Sequence, residues 1–426
     1  MRKQICKAHN APILRKREHQ AMLHAKTAPS LKTVLLASGL VLTLAMGMRH
    51  GLGFWLQPIS MEHGWTREPF SMAIAVQNLM WGIFSPFAGM VADRFGTAKV
   101  VLTGAILYAA GLVWMALVNE PALFIIGSGI LVGGALAATT FAAISGIIGR
   151  SVSPEKRSWA FGLSSAAGSF GQFLMMPVEQ KLIAATGWQH AFFWLALLLL
   201  AVMIPMAFKL REPPLPATAG TEQSVTEAFK EALSHGSFQL LLAGYFVCGF
   251  QLVFIGTHLP SYLQDKGIIN PNVSVTALAL IGLCNIFGSY YAGKWGGIFQ
   301  KRYLLSIIYF SRSIAIGLFL LAPLSPLSVY LFAAAMGFLW LSTVPLTNGI
   351  IASIFGLKYL SMLSGLVFLS HQLGSFLGAW LGGYMFTRQG NYNTIWVITL
   401  LLGVFAALVN LPIKERAIAR AQTAAA

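Results

Sequence analysis

Apolar stretches of about membrane length, separated by short polar breaks, follow one another from residue 33 to residue 413. A helix that crosses the hydrocarbon core needs about 20 apolar residues. Twelve stretches meet that length. Six lie at 33–58, 71–92, 98–118, 122–148, 159–184 and 189–209, and six at 238–264, 274–297, 303–322, 326–349, 360–386 and 392–413. The pattern predicts an all-α membrane protein with twelve transmembrane helices. The longest polar interval, 210–237, opens with Arg211-Glu212-Pro213-Pro214-Leu215-Pro216 and is weakly amphipathic from Thr226 to Leu233. It reads as a linker with a short surface helix, joining two six-helix bundles. The expected organisation is a basic tail (1–32), a first bundle (33–209), the linker (210–237), a second bundle (238–413) and a short tail (414–426).

Composition supports a membrane protein. Mean hydropathy is +0.70, and charged residues are 10% of the chain against about 25% in a soluble domain. The net charge of +16 could point to nucleic acid, but no aromatic-basic module or zinc spacing accompanies it. Its distribution explains it better. With both termini placed inside, cytoplasmic segments hold 22 of the 29 Lys and Arg residues. External segments hold Arg67, Lys181, Lys266 and Arg388. That bias is the positive-inside rule, and it puts both termini in the cytoplasm; the expected location is the inner membrane, as a multi-pass protein. The first 32 residues are too polar for a secretory signal and read as a solvated tail facing anionic lipid. Cys6, Cys248 and Cys284 are far apart, which gives no disulfide framework and no metal site.

Gly89-Met90-Val91-Ala92-Asp93-Arg94-Phe95-Gly96 closes the second stretch with an acid, a base and two glycines. At the end of the eighth, Ser289-Tyr290-Tyr291-Ala292-Gly293-Lys294-Trp295-Gly296 keeps Ala, the base and the last Gly, and replaces Asp93 by Gly293. The echo suggests an internal duplication, as in many secondary transporters.

Twelve spans, a central linker and G-x-x-x-D-R-x-G after the second span resemble the major facilitator superfamily over residues 33–413. Within it, the chain resembles the monocarboxylate transporters and the bacterial oxalate:formate antiporters. The residues behind this are Gly51-Leu52-Gly53-Phe54, His63-Gly64-Trp65-Thr66-Arg67 with Ser71, and Ser370-His371-Gln372-Leu373-Gly374. The resemblance implies two bundles around a central cavity that opens to each side in turn, driven by gradients without ATP. No G-x-x-x-x-G-K-[ST] phosphate loop is present, and no cofactor is expected. The resemblance also implies that Gly89, Asp93, Arg94 and Gly96 form an inner gate, with Asp93 near the start of the eleventh helix. A helix N-terminus attracts an anion, and the glycines allow close approach and a tight turn. For Arg94 a plain topological anchor is an equal reading.

Charges at membrane depth are the candidate site. Arg49, in Gly47-Met48-Arg49-His50-Gly51, costs about 2.5–3.5 kcal/mol at a helix centre, so it should face protein or a water-filled cavity. Its guanidinium matches a carboxylate in two parallel hydrogen bonds, and few acids at that depth are available to pair with it. Arg312 lies nine residues into the ninth span and reads as paired or snorkelling. The monocarboxylate relatives often carry an Arg in the eighth span. Here that span offers only Asn285 and Tyr290 as neutral hydrogen-bonding groups, which leaves more of the anion to Arg49. His371 lies near the midplane of the eleventh span and is a candidate for both substrate and proton. His258 and Glu179 are further proton-coupling candidates, and no motif chooses among the three. Phe54, Trp340 and Asn348 are cavity candidates by resemblance alone. The recurrent glycines, Gly374, Gly378 and Gly382 among them, read as packing surfaces.

No G-x-S-x-G elbow, H-E-x-x-H or close acidic pair supports an enzyme. The expected function is secondary active transport of a small organic anion, a monocarboxylate, by proton symport in a monomer. The alternatives are anion exchange of the oxalate:formate kind, export of a drug-like compound, and a sensor that binds solute without moving it.

Overall fold

The computed structural model describes residues 29–65, 68–211 and 223–418. The basic tail to residue 28, Thr66 and Arg67, the Pro-rich start of the linker and the chain beyond residue 418 lie outside the described residues. The helices, in chain order, are α1 (Leu31–Gly51), α2 (Leu56–His63), α3 (Glu68–Phe95), α4 (Thr97–Leu117), α5 (Pro121–Ile125), α6 (Gly133–Thr139), α7 (Phe141–Ser151), α8 (Arg157–Thr186) and α9 (Trp188–Lys209). They continue as α10 (Val225–Ser234), α11 (Gly236–Asp265), α12 (Pro271–Gly296), α13 (Lys301–Leu321), α14 (Pro326–Leu339), α15 (Thr343–Phe355), α16 (Leu360–Gln389) and α17 (Asn393–Asn410).

Helices occupy all twelve stretches that the apolar pattern marks. Among the described residues, eleven helical segments are long and apolar enough to cross a membrane, α5 to α7 counting as one and α14 with α15 as another. The other stretch, α8, runs for 30 residues but dilutes its hydropathy with Ser158, Ser164, Ser165, Ser169 and Glu179, all buried. It packs along α1 on one side and α12 on the other, so protein rather than lipid surrounds its polar face. Large apolar side chains such as Ile106, Leu117, Leu321 and Leu331 point outward, as expected where the solvent is hydrocarbon.

Local chemistry sets several starts. Ser30 caps α1 through Thr33, and Asn270 caps α12 ahead of Pro271. Ser325 and Ser328 form a reciprocal capping box on α14. In the linker, Ser224 and Glu227 do the same for α10, and the Ser224 N–H holds the Glu227 carboxyl below its usual range.

Three stretches that read as continuous are broken. The first leaves α1 at Gly51, tightens to a 3₁₀ turn over Leu52–Trp55 and resumes as α2. The fourth widens to a π turn over Ile126–Val132 and breaks at Thr140, which is extended at φ −117°. The tenth breaks between Leu339 and Thr343.

Residues 29–209 and 236–410 meet along two crossings, α3 against α16 and α8 against α12. The hydrogen bonds that join the halves include Gly146 N to Ser361 Oγ (3.1 Å), Arg150 to the Leu357 carbonyl (3.2 Å), Met362 N to Asp93 (2.9 Å), Ser165 to Ser289 (3.4 Å), Asn285 to Ser169 (2.8 Å) and Gln372 to the Asn78 carbonyl (2.8 Å). They run from the middle of the spans to the end of the bundle where the linker residue Gln223 accepts from Lys358 and Tyr359.

Candidate functional site

Arg49 occupies the last turn of α1, directly before the break. Its side chain is half-buried. One terminal nitrogen donates to the Asn78 amide oxygen of α3. The other lies 3.3 Å from His50 Nε2. His50 Nδ1 is 2.7 Å from the Met46 carbonyl. A carbonyl only accepts, so Nδ1 carries the proton and Nε2 is left to accept from Arg49. The guanidinium also lies over the Trp81 ring, 5.0 Å from its centroid. The Arg49 Nε is buried with no hydrogen-bond partner, and among the described residues no carboxylate pairs with the group. Arg49 is therefore held in place by neutral groups, with donors left over and its charge uncompensated.

The neighbours of Arg49 lead across the interface. Trp81 donates to Thr140 Oγ1 at the break in the fourth stretch (2.9 Å), and its ring lies 4.7 Å from Phe368 of α16. Phe368 stacks on His371, and His371 lies 5.2 Å from the Tyr245 ring. The backbone of Asn78 accepts from Gln372, whose Oε1 is 3.1 Å from His371 Nδ1. Arg49 and His371, candidates from different halves, thus share one network through Asn78 and Gln372. Beside it, Asn348 and Ser364 (2.8 Å apart) line a small space between the halves with Phe141, Tyr245 and Phe368.

Other candidates lie elsewhere. Asn285 is fully buried and its amide bonds three neighbours. It donates to Ser169 and accepts from Ser289 Oγ (3.2 Å) and from Leu341 N in the break of the tenth stretch (2.9 Å). Tyr290 is half-buried with its ring edge-on to Tyr291. His258 bonds the Ala379 carbonyl and Tyr392, within the second half. Glu179 is fully buried in the first half, accepting from the Trp55 indole (3.2 Å). Phe54 is 40% exposed, and Trp340 sits half-buried at the break.

Arg312 is as buried as any side chain in the molecule. Its guanidinium donates to the Leu339 carbonyl (2.7 Å) and the Trp340 carbonyl (2.6 Å), with Gln251 Oε1 and Cys248 Sγ at 3.4 and 3.5 Å. These carbonyls end α14, where a helix leaves acceptors unpaired and carries partial negative charge. Arg312 does not reach the surface. It closes the break from one side while Asn285 closes it from the other.

At the linker end, Asp93 Oδ2 accepts from Met362 N in the first turn of α16, and Oδ1 lies 3.3 Å from Arg150. Arg150 also donates to the Leu357 carbonyl. The Asp93 side chain is wholly buried. Arg94 takes no part: it is exposed and lies over the Phe95 ring. The base on Asp93 is Arg150, which in the sequence is only one more loop charge. Gly96 turns the chain at φ +94°, and a Cβ on Gly89 would strike the backbone of Ser361 and Met362. At the corresponding crossing of the other half, Gly293 meets Gly162 of α8, and a Cβ on either would come within about 2.8 Å of the other's Cα.

Asn78, His50 and Trp81 are the site residues that sequence reasoning passed over. The signal for Asn78 was available, since Gln77-Asn78 is a polar pair inside an apolar stretch.

The sequence matches the family described as Major Facilitator Superfamily over residues 35–348. It is 24% identical over 402 residues to an uncharacterised transporter of that type, YcxA, from Bacillus subtilis (strain 168), covering 91% of this chain and 96% of that one. It is 28% identical over 354 residues to monocarboxylate transporter 13 of Rattus norvegicus (80% and 78% covered). It is 22% identical over 385 residues to the oxalate:formate antiporter of Oxalobacter formigenes (87% and 88% covered). Among solved structures, the transporter FucP in its outward conformation superposes with a TM-score of 0.70 at 15% identity, covering 89% of this chain and 97% of that one.

Proposed function

The chain belongs to the major facilitator superfamily, and on that premise we propose that it carries a small organic anion, a monocarboxylate, by alternating access with proton symport. It is a multi-pass membrane transporter resembling the monocarboxylate group, and not an enzyme. In this reading all twelve stretches span the inner membrane of the cell, both termini are cytoplasmic and the working unit is a monomer. The linker end is then the cytoplasmic end. The two six-helix bundles, 33–209 and 238–413, touch there through Asp93, Arg150 and the start of α16, with the cavity closed toward the cytoplasm.

The observation that carries the reading is Arg49, a cation at the break in the first stretch with an unpartnered donor and, among the described residues, no carboxylate paired with it. A carboxylate would supply the missing charge and accept from that donor. The discontinuous helices around it support the placement, because transporters of this kind bind substrate where helices break. The relatives named for monocarboxylates and for oxalate:formate exchange support an anionic cargo of either kind.

The test is a thermal-shift screen of carboxylates on the purified protein, followed by uptake in proteoliposomes. Carboxylates should raise the apparent melting temperature of the wild type and leave that of Arg49→Ala unmoved. Uptake that an inward proton gradient accelerates in vesicles without internal substrate marks symport. Uptake that needs internal carboxylate marks exchange. If no carboxylate stabilises the protein, or Arg49→Ala binds as the wild type does, the anion reading is lost.

A further inference from the structure

Two residues beyond Arg49, the break in the first stretch holds an acid from another helix. Glu179 of α8 lies against Gly51 so closely that a Cβ there would overlap its carboxyl. The 3₁₀ turn that follows brings Trp55 back over it, and the Trp55 indole donates to Oε2 at 3.2 Å. Trp55 in turn stacks on Phe192 of α9, with centroids 3.9 Å apart. The carboxyl is fully buried and its second oxygen, Oε1, has no hydrogen-bond partner.

Among the described residues no cation pairs with it. Arg49 and His50 in the last turn of α1 are bound to Asn78 and to the Met46 carbonyl. Tyr108 of α4 lies within electrostatic reach of both Glu179 and Arg49, but its hydroxyl donates to the Ala45 carbonyl at 3.3 Å. Lys181 on α8 and His190 on α9 are exposed. Lys209 of α9, Arg150 of α7 and Lys294 of α12 are at the opposite end of the bundle. α15 contributes no titratable residue.

We infer that Glu179 is a proton-binding site, and that its proton is the one coupled to the anion at Arg49. An isolated carboxylate taken from water into such a box costs several kcal/mol, whereas the protonated acid is neutral and its O–H can be supplied to the free side. Two unmatched charges on adjacent helices then give a coupling rule. With anion on Arg49 and proton on Glu179, the site is neutral. With both gone, the positive Arg49 and the negative Glu179 leave the site with no net charge, although the two groups do not pair. With only one ligand bound, an unpaired charge remains inside the bundle. Only the full and the empty states can close around the site at low cost. The inference rests on the transport reading for its coupling half, while the proton site stands or falls by itself.

The decisive measurement is infrared difference spectroscopy of the purified protein through a pH titration. The wild type should show a protonated-carboxyl stretch at neutral pH that disappears in Glu179→Gln and survives in Asp93→Asn, which removes a second buried carboxyl. Trp55→Phe, which deletes the indole donor and keeps an aromatic ring against Phe192, should move the same band. A wild type without the band, or a band that survives Glu179→Gln, overturns the proton site. In proteoliposomes, Glu179→Gln should still exchange labelled anion, while its accumulation ratio under an inward proton gradient falls to one. If Glu179→Gln accumulates as the wild type does, the coupling role is wrong. If the wild type moves no carboxylate in response to protons, the transport reading fails instead, and the infrared result alone judges Glu179.

Discussion

Arg49 and Arg312 are both arginines inside apolar spans, and neither has a carboxylate partner among the described residues. Their surroundings differ in kind. Arg312 is fully buried and bonded to two carbonyls at the end of α14, with Gln251 and Cys248 around it. Arg49 is half-buried, bonded to a neutral amide and an imidazole, and keeps one donor free. The acids divide the same way. Asp93 is engaged by the Met362 N–H in the first turn of α16 and by Arg150, whereas Glu179 has one oxygen with no partner. A buried charge alone therefore does not mark a binding site. Charges met by helix termini hold the fold, and charges left open are available to ligands.

The sharpest way to break this division is at Arg312. Arg312→Ala leaves the Leu339 and Trp340 carbonyls without donors inside the bundle, at about 1–3 kcal/mol each. The expected result is a several-kcal/mol loss of stability, read as a large drop in apparent melting temperature, whether or not substrate is present. If Arg312→Ala melts like the wild type but loses carboxylate binding, Arg312 belongs with Arg49 and the comparison fails.

Arg49→Ala should do the reverse. It removes no donor from a helix end, so the apo protein should melt close to the wild type. Affinity for the anion should fall by about 10–100-fold, the equivalent of a charged hydrogen bond of 1.5–3 kcal/mol. Arg49→Lys keeps the charge but loses the planar fork, and its affinity should lie between the two.

Asp93→Asn probes the acid on the structural side. It removes the charge that faces the α16 terminus and Arg150, worth about 1–2 kcal/mol in a partly buried setting. Such a loss shifts a two-state equilibrium by roughly 5–30-fold. Single cysteines at the linker end should therefore label faster in Asp93→Asn, while the intrinsic affinity for the anion stays the same. Equal labelling rates would show that the contact does not hold that end shut.

The sequence made the spans readable because length and hydropathy are properties of the chain alone. It hid the breaks, since Thr140 and Trp340 sit in runs that remain apolar on both sides, and Gly51 is one of 42 glycines. Arg49 stood out because a charge at that depth is costly wherever it points. What saturates Arg312 was invisible, because backbone carbonyls leave no mark in a sequence. Arg150 was equally hidden, since a base in that loop already satisfies the topology rule. Asn285 read as a cargo ligand, but its amide is occupied by Ser169, Ser289 and Leu341. Which partners a neutral amide finds depends on helix rotation, and twelve approximate spans do not fix that.

The finest test separates the two jobs of Asn78. Its side chain accepts from Arg49, and its backbone carbonyl accepts from Gln372 of the other half. Asn78→Ala deletes the first contact and keeps the second, because a carbonyl survives any substitution. Arg49 would keep its charge and its place over Trp81 but lose the group that aims it. The expected cost is about 1 kcal/mol, a roughly fivefold rise in the dissociation constant, with melting temperature and labelling rate at the linker end unchanged. If affinity holds and labelling changes, then Asn78 joins the halves more than it orients Arg49, and Arg49 reaches its anion without help from α3.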